Sequence, residues 1–206
     1  MSTREIAKQT MDYLLGWGYV AFEGSSGQEE LAYLAELVRR TSAVAVLEIG
    51  FNAGLSSQAL LSASPATRVV SFDVGDHPYV HRAKEYVDRR FPGRHELILG
   101  DSRTTLPRYA ADSARPVFDL AFVDGGHEVD VVRADLRNTR TLCKPNAHVV
   151  VDDLTPWRPW GVGPATAWRE ALQEGLIVQE EMLKDGQVVD SAREPADRVL
   201  ALGRYT

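Results

Sequence analysis

Two apolar runs in the second half of this chain end in acidic residues, and one of them is followed closely by a histidine. Phe118–Asp124 closes on Asp124, Ala147–Asp152 closes on Asp152 with Asp153 next to it, and His127 follows Asp124 across Gly125-Gly126. Carboxylates gathered at one edge repel one another unless they are protonated or a cation lies among them. Oxygen ligands without cysteine or paired histidine suit Mg²⁺ or Ca²⁺ better than zinc. The same acidic pair can also cap a loop or grip a cationic substrate. A neutral imidazole, with a pKa of about 6.5, is a suitable general base for an alcohol or ammonium acceptor. The plainer reading of His127 is a helix-start side chain that bonds nearby backbone. His77, His81, His95 and His148 lack such a setting.

A second group of residues surrounds a glycine-opened turn, Leu47-Glu48-Ile49-Gly50-Phe51-Asn52-Ala53-Gly54. A dinucleotide site asks for G-x-G-x-x-G, so that backbone can approach the pyrophosphate. Asn52 stands at the second glycine, the spacing is G-x-x-x-G, and no Gly-Lys-Ser/Thr of a P-loop follows. Asp73 ends the next apolar run, where a carboxylate can accept both hydrogen bonds of a ribose diol. Asp101-Ser102 ends another, within reach of an adenine amino group.

These residues need elements that carry them to one edge. From residue 43 short apolar runs alternate with helical segments. The strand candidates are 43–49, 68–73, 95–99, 118–124 and 147–152, and helices are expected at 55–63, 78–90, 104–111, 127–140 and 163–174. Strands apolar on both faces fit a parallel sheet covered by helices on both sides. The last residues read as antiparallel strands turning at Asp185-Gly186. The expected fold is doubly wound, Rossmann-like α/β: a seven-stranded, mostly parallel sheet with antiparallel C-terminal edge strands and N-terminal helices. Residues 1–27 are expected to form a helical cover and 28–206 the main domain.

The chain has 206 residues and a formal net charge of −6, which argues against binding a nucleic-acid backbone. The single cysteine, Cys143, excludes an internal disulfide. No apolar segment reads as a signal peptide or a membrane span, so the expectation is a cytoplasmic protein without membrane or nucleic-acid partners.

Taken in order, Glu48-Ile-Gly50-x-Asn52-x-Gly54, Asp73, Gly100-Asp101-Ser102 and Phe122-Val-Asp124-Gly-Gly-His127 resemble the motifs of class I S-adenosylmethionine-dependent methyltransferases. The likeness is greatest to the catechol O-methyltransferase-like branch and to sugar O-methyltransferases of natural-product pathways. It covers about residues 27–183. The resemblance implies S-adenosyl-L-methionine as cofactor, with Gly50, Asn52, Gly54 and Ser56 along its methionine part. Asp73 would lie at the ribose and Asp101 with Ser102 at the adenine, Glu48 and Asp124 also counting as cofactor contacts. It further implies Mg²⁺ on Asp124, Asp152 and Asp153, although Asp153 stands where catechol-type enzymes usually carry Asn. His127 matches the base in a D-x-x-H pattern. The acceptor is expected to be a small molecule with a phenolic or sugar hydroxyl. Tyr19, Phe22 and the 23–27 turn would form one wall of its site, and the Trp157–Pro164 loop, with Trp157 and Trp160, a lid. A homodimer through the N-terminal helices is a further expectation. Metal-independent N-methylation of an amino sugar or amine stays open, as does a non-catalytic cofactor-binding domain.

Overall fold

Helix α2 (Gln28–Thr41) shows how locally these elements are specified. Glu30 accepts a hydrogen bond from the Gly27 amide at 3.1 Å. Glu29 and Glu30 lie in the first turn and Arg39 and Arg40 in the last, which complements the helix dipole. Leu31, Leu34, Ala35 and Val38 recur at helical spacing and are all buried.

The computed structural model describes residues 2–206 other than Glu23 and Ser25, so two positions of the expected 23–27 wall lie outside the described residues. The chain forms two compact units, Met1–Gly100 and Asp101–Thr206. The first contains α1 (Thr3–Gly16), α2, β1 (Ala45–Ile49), α3 (Leu55–Ala63), β2 (Arg68–Asp73), α4 (Val80–Arg90) and β3 (His95–Leu99). Its strands are parallel, with β2 between β1 and β3. Val46, Leu47, Ile49, Val69 and Phe72 are buried, as expected of parallel strands.

The second unit contains α5 (Ser102–Ala110), β4 (Phe118–Val123), α6 (Val129–Leu142), β5 (Cys143–Val151), a 3₁₀ turn (Pro159–Gly161), α7 (Val162–Gln173), β6 (Ile177–Lys184), β7 (Gln187–Val188) and β8 (Val199–Tyr205). β4 and β5 are parallel; β8 runs antiparallel to β5 and β6, and β7 antiparallel to β6. Among the described residues the strands therefore number eight, not seven. The hairpin expected at Asp185-Gly186 forms, with the two-residue β7 as its second arm, and both turn residues take positive φ, 48° and 79°, as such tight turns require. β5 also starts earlier than expected. Cys143 pairs with Phe118, but the next pair is Leu120 with His148. Lys144-Pro145-Asn146 is an excursion between them, with Asn146 at φ 60°. At the chain end the Tyr205 hydroxyl lies 2.6 Å from Thr139 Oγ1 and donates to the Leu136 carbonyl at 3.1 Å, fastening β8 to α6. Among the described residues no helix is long and apolar enough to cross a membrane.

Candidate active site

In the first unit β1 runs into a turn held open by backbone conformation. Gly50, Asn52 and Gly54 all have positive φ, 93°, 49° and 73°. At Gly54 space also decides, because a Cβ there would stand 2.9 Å from the Phe51 ring and 3.0 Å from Val87. Asp73, at the end of β2, ties the turn down. Its Oδ2 accepts from the Phe51 and Asn52 amides at 2.8 Å each, and its Oδ1 from Gly75 at 2.7 Å. A carboxylate has about four acceptor positions, so one direction remains for a ligand hydroxyl. Asn52 uses its side chain sideways: the amide donates to the Gly24 carbonyl at 3.2 Å and accepts from the Tyr79 hydroxyl at 2.7 Å. Tyr19 and Phe22 gather on the same Tyr79, with ring centroids 6.1 and 5.2 Å away.

Glu48 lies beneath the turn rather than in it. It is fully buried and accepts from Ser57 and, at 2.5 Å, from Ser71. Ser71 is 2.8 Å from His95 Nε2, whose ring stacks on Phe51 at 5.1 Å. Ser56, also buried, lies beside the same carboxylate. His95 thus has a structural setting that its sequence neighbours do not reveal. Burial drives the Glu48 carboxyl up to about 7, with Ser56, Ser57 and Ser71 opposing the rise. The folded protein therefore holds this proton where the unfolded chain, titrating near 4.5, has released it, and stability falls as pH rises between those values. The loss amounts to about 3 kcal/mol, at about 1.4 kcal/mol per pKa unit. We expect urea unfolding of the wild type, compared with Glu48→Gln, to show this extra loss between pH 5 and 8; equal slopes for the two proteins would remove it.

In the second unit Asp101 caps α5. It accepts from the Arg103 amide at 2.9 Å and pairs with the guanidinium at 2.5 Å, which holds its carboxyl below the usual range. Ser102 opens the helix directly after it. At the ends of β4 and β5 the expected acids do converge. Ligand atoms of Asp124, His127 and Asp153 lie within 4.8 Å of one another, and so do those of Asp124 and Asp152. His127 Nε2 is 2.9 Å from Asp153 Oδ2. That hydrogen bond raises the imidazole pKa above its ordinary value, with burial opposing it. Asp153 is held at φ 58°, uncommon for a residue with a side chain.

The stretch after Asp153 is fastened at several points and is not built as a free lid. Leu154 donates its amide to Val199 at 2.8 Å, Trp157 Nε1 bonds the Ala196 carbonyl at 3.2 Å, and Arg158 pairs with Asp197 at 3.0 Å. Trp160 is 44% exposed, with the Arg158 guanidinium 5.7 Å from its ring.

The fold and these clusters define an α/β protein with a clamped glycine turn in one unit and an acid–imidazole group in the other. Residues 47–154 match the family model described as a methyltransferase domain. Two proteins of Mycobacterium sp., strains KMS and MCS, are 31% identical over 156 residues, covering 74% of this chain and 69% of each of theirs. Their description as O-methyltransferases is provisional. Among solved structures, the Bacillus cereus O-methyltransferase in complex with SAH has a TM-score of 0.75 at 18% identity, covering 99% of this chain and 90% of that one. TomG of Streptomyces achromogenes, an O-methyltransferase of tomaymycin synthesis in complex with SAM, has 0.76 at 20%, covering 98% and 90%. At such identities the structures show a shared fold. The chain belongs to the methyltransferase-domain family, within the class I S-adenosylmethionine-dependent methyltransferases.

Proposed function

We propose that this enzyme transfers the methyl group of S-adenosylmethionine to a hydroxyl of a small phenolic or sugar-containing acceptor, with His127 taking the proton. The observation that carries the reading is the His127–Asp153 pair at 2.9 Å beside Asp124. With Nε2–H directed at the carboxylate, Nδ1 is the nitrogen left with a lone pair. In the transfer the acceptor oxygen forms a bond to the methyl carbon as the carbon–sulfur bond breaks, its electron pair staying on sulfur. The hydroxyl proton passes to Nδ1, and Asp153 stabilises the imidazolium that results. Alignment of the reacting atoms supplies much of the remaining acceleration. Gly50, Asn52, Gly54 and Ser56 would support the methionine part of the cofactor, Asp73 its ribose, and Asp101 with Ser102 its adenine. Tyr19, Phe22, Trp157 and Trp160 are the candidate acceptor contacts.

The carboxylates also fit a divalent cation. Their oxygens converge on Asp124, and hard carboxylates suit Mg²⁺ or Mn²⁺. Asp124 with Asp153 or Asp152 would hold it, and the bound ion would lower the pKa of an acceptor hydroxyl. The same acids suit an ammonium acceptor, which is the second reading. The test is methyl transfer from labelled cofactor to phenols, vicinal diols, sugars and amines, with product mass spectrometry locating the methyl group. Methylated oxygen supports the first reading, methylated nitrogen the second, and absence of product across the panel would count against both. For the cation we expect Mg²⁺ titrated into SAH-saturated protein to bind, and Asp124→Ala to lose that binding; a flat wild-type titration would remove the metal.

A further inference from the structure

α7 begins where its backbone presses on the segment that carries His127. A Cβ on Gly163 would stand 1.9 Å from the His127 carbonyl oxygen, 3.0 Å from the His127 carbonyl carbon and 2.9 Å from the Val129 amide nitrogen. All three are backbone atoms and cannot swing aside as a side-chain tip can. Gly163 has no positive φ, so nothing in its own conformation asks for glycine; the requirement is space. Two residues earlier the same thing happens on the other side of the proposed base. A Cβ on Gly161 would stand 2.2 Å from the Thr155 carbonyl oxygen, and the Thr155 amide in turn donates to the Asp153 carbonyl at 2.7 Å. Gly161 also donates to Arg158 at 3.0 Å, and Arg158 to Thr155 at 2.8 Å, so the turn is closed on itself.

One short segment therefore touches the backbone of His127 through Gly163 and that of the Asp153–Thr155 stretch through Gly161. His127 needs such a support. It follows Gly125-Gly126, its side chain is 43% exposed, and its hydrogen bond to Asp153 is tolerant of neither a large shift nor a rotation. We propose that Gly163 is a positioning residue for His127: by letting the start of α7 approach to backbone contact, it fixes the imidazole against Asp153. The inference rests on the reading of His127 as the proton acceptor, and its test separates the two.

The decisive experiment is a double-mutant cycle of Gly163→Ala and His127→Ala, with SAH affinity measured on every variant. A displacement of about 1 Å in a catalytic group costs roughly 10²-fold in rate, and Gly163→Ala is expected to lower kcat by that order with SAH affinity unchanged. In the His127→Ala background it should cost nothing further, because a residue that acts through the imidazole has no effect once the imidazole is gone. An equal loss in both backgrounds overturns the proposal in favour of a general packing role. Full activity of Gly163→Ala beside an inactive His127→Ala overturns it outright. If His127→Ala keeps its rate, the proton-acceptor reading fails by itself. The positioning is then read from the His127 Nε2–H proton resonance, which Gly163→Ala should move or broaden, an unchanged signal overturning it. Gly16→Ala is the control, since a Cβ there meets nothing within 4 Å. Should Gly163→Ala not fold, Gly161→Ala reads the same support from the Asp153 side.

Discussion

Replacing His127 with alanine is expected to lower kcat by about 10²–10⁴-fold, the usual contribution of a positioned general base. Affinity for SAH should stay within about twofold of the wild type, because the bond His127 makes is to Asp153 within its own unit. Two further measurements make the result specific. Added imidazole should restore part of the lost rate, since the missing group is a diffusible base; a purely structural role would show no rescue. Asp153→Asn keeps an oxygen to accept the Nε2–H but removes the charge that steadies the imidazolium, so its loss should be smaller than that of His127→Ala. If His127→Ala retains wild-type kcat, proton acceptance by this residue is wrong, and the acids around Asp124 become the remaining groups able to take a proton or hold a cation.

Much of this architecture is legible in the sequence because its signals are local. The apolar runs of β2 and β3 and the helical pattern of α3 coincide with the observed Arg68–Asp73, His95–Leu99 and Leu55–Ala63. A parallel strand buried as continuously as Val69–Phe72 of β2 leaves little room for other readings. Helix α6 starts two residues later than the periodicity suggests, because Gly125–Glu128 are used to bring His127 beside Asp153. The strand expected after the Asp185-Gly186 turn is only two residues long, because just Gln187 and Val188 pair with β6.

The site is legible as residue types but not as assignments. The strand ends bring Asp124 together with His127 and Asp153, and separately with Asp152, so the expected three acids do not share one group. Glu48 reads as part of the turn because it sits two residues before Gly50, yet its carboxylate lies below, where Oε2 accepts from Ser57 and Ser71. The partners that matter to Asp73 are backbone amides, which have no sequence signature. The same holds for Gly163, whose partner is a carbonyl oxygen on a distant part of the chain. Tyr79 carries no sequence signal for a similar reason, its hydroxyl bond to Asn52 being set by the fold alone.

Asp73→Ala is expected to weaken SAH binding by about 10²-fold or more. Hydrogen bonds to a charged group are worth roughly 1.5–3 kcal/mol each, and the variant loses the acceptor for the Phe51, Asn52 and Gly75 amides together. The turn then has to be ordered by the ligand itself, which subtracts from affinity. Asp73→Asn should do little better, because an amide has one acceptor oxygen: it can serve the two turn amides or Gly75, and its NH₂ would then face an N–H. Calorimetry with SAH and with an SAH analogue lacking both ribose hydroxyls separates the two duties of this carboxylate. If Asp73 only receives the ribose, the dideoxy analogue binds wild type and Asp73→Ala alike. If it also holds the turn, the variant loses affinity for the analogue as well, and the difference between the two ligands in the wild type measures the ribose contribution alone.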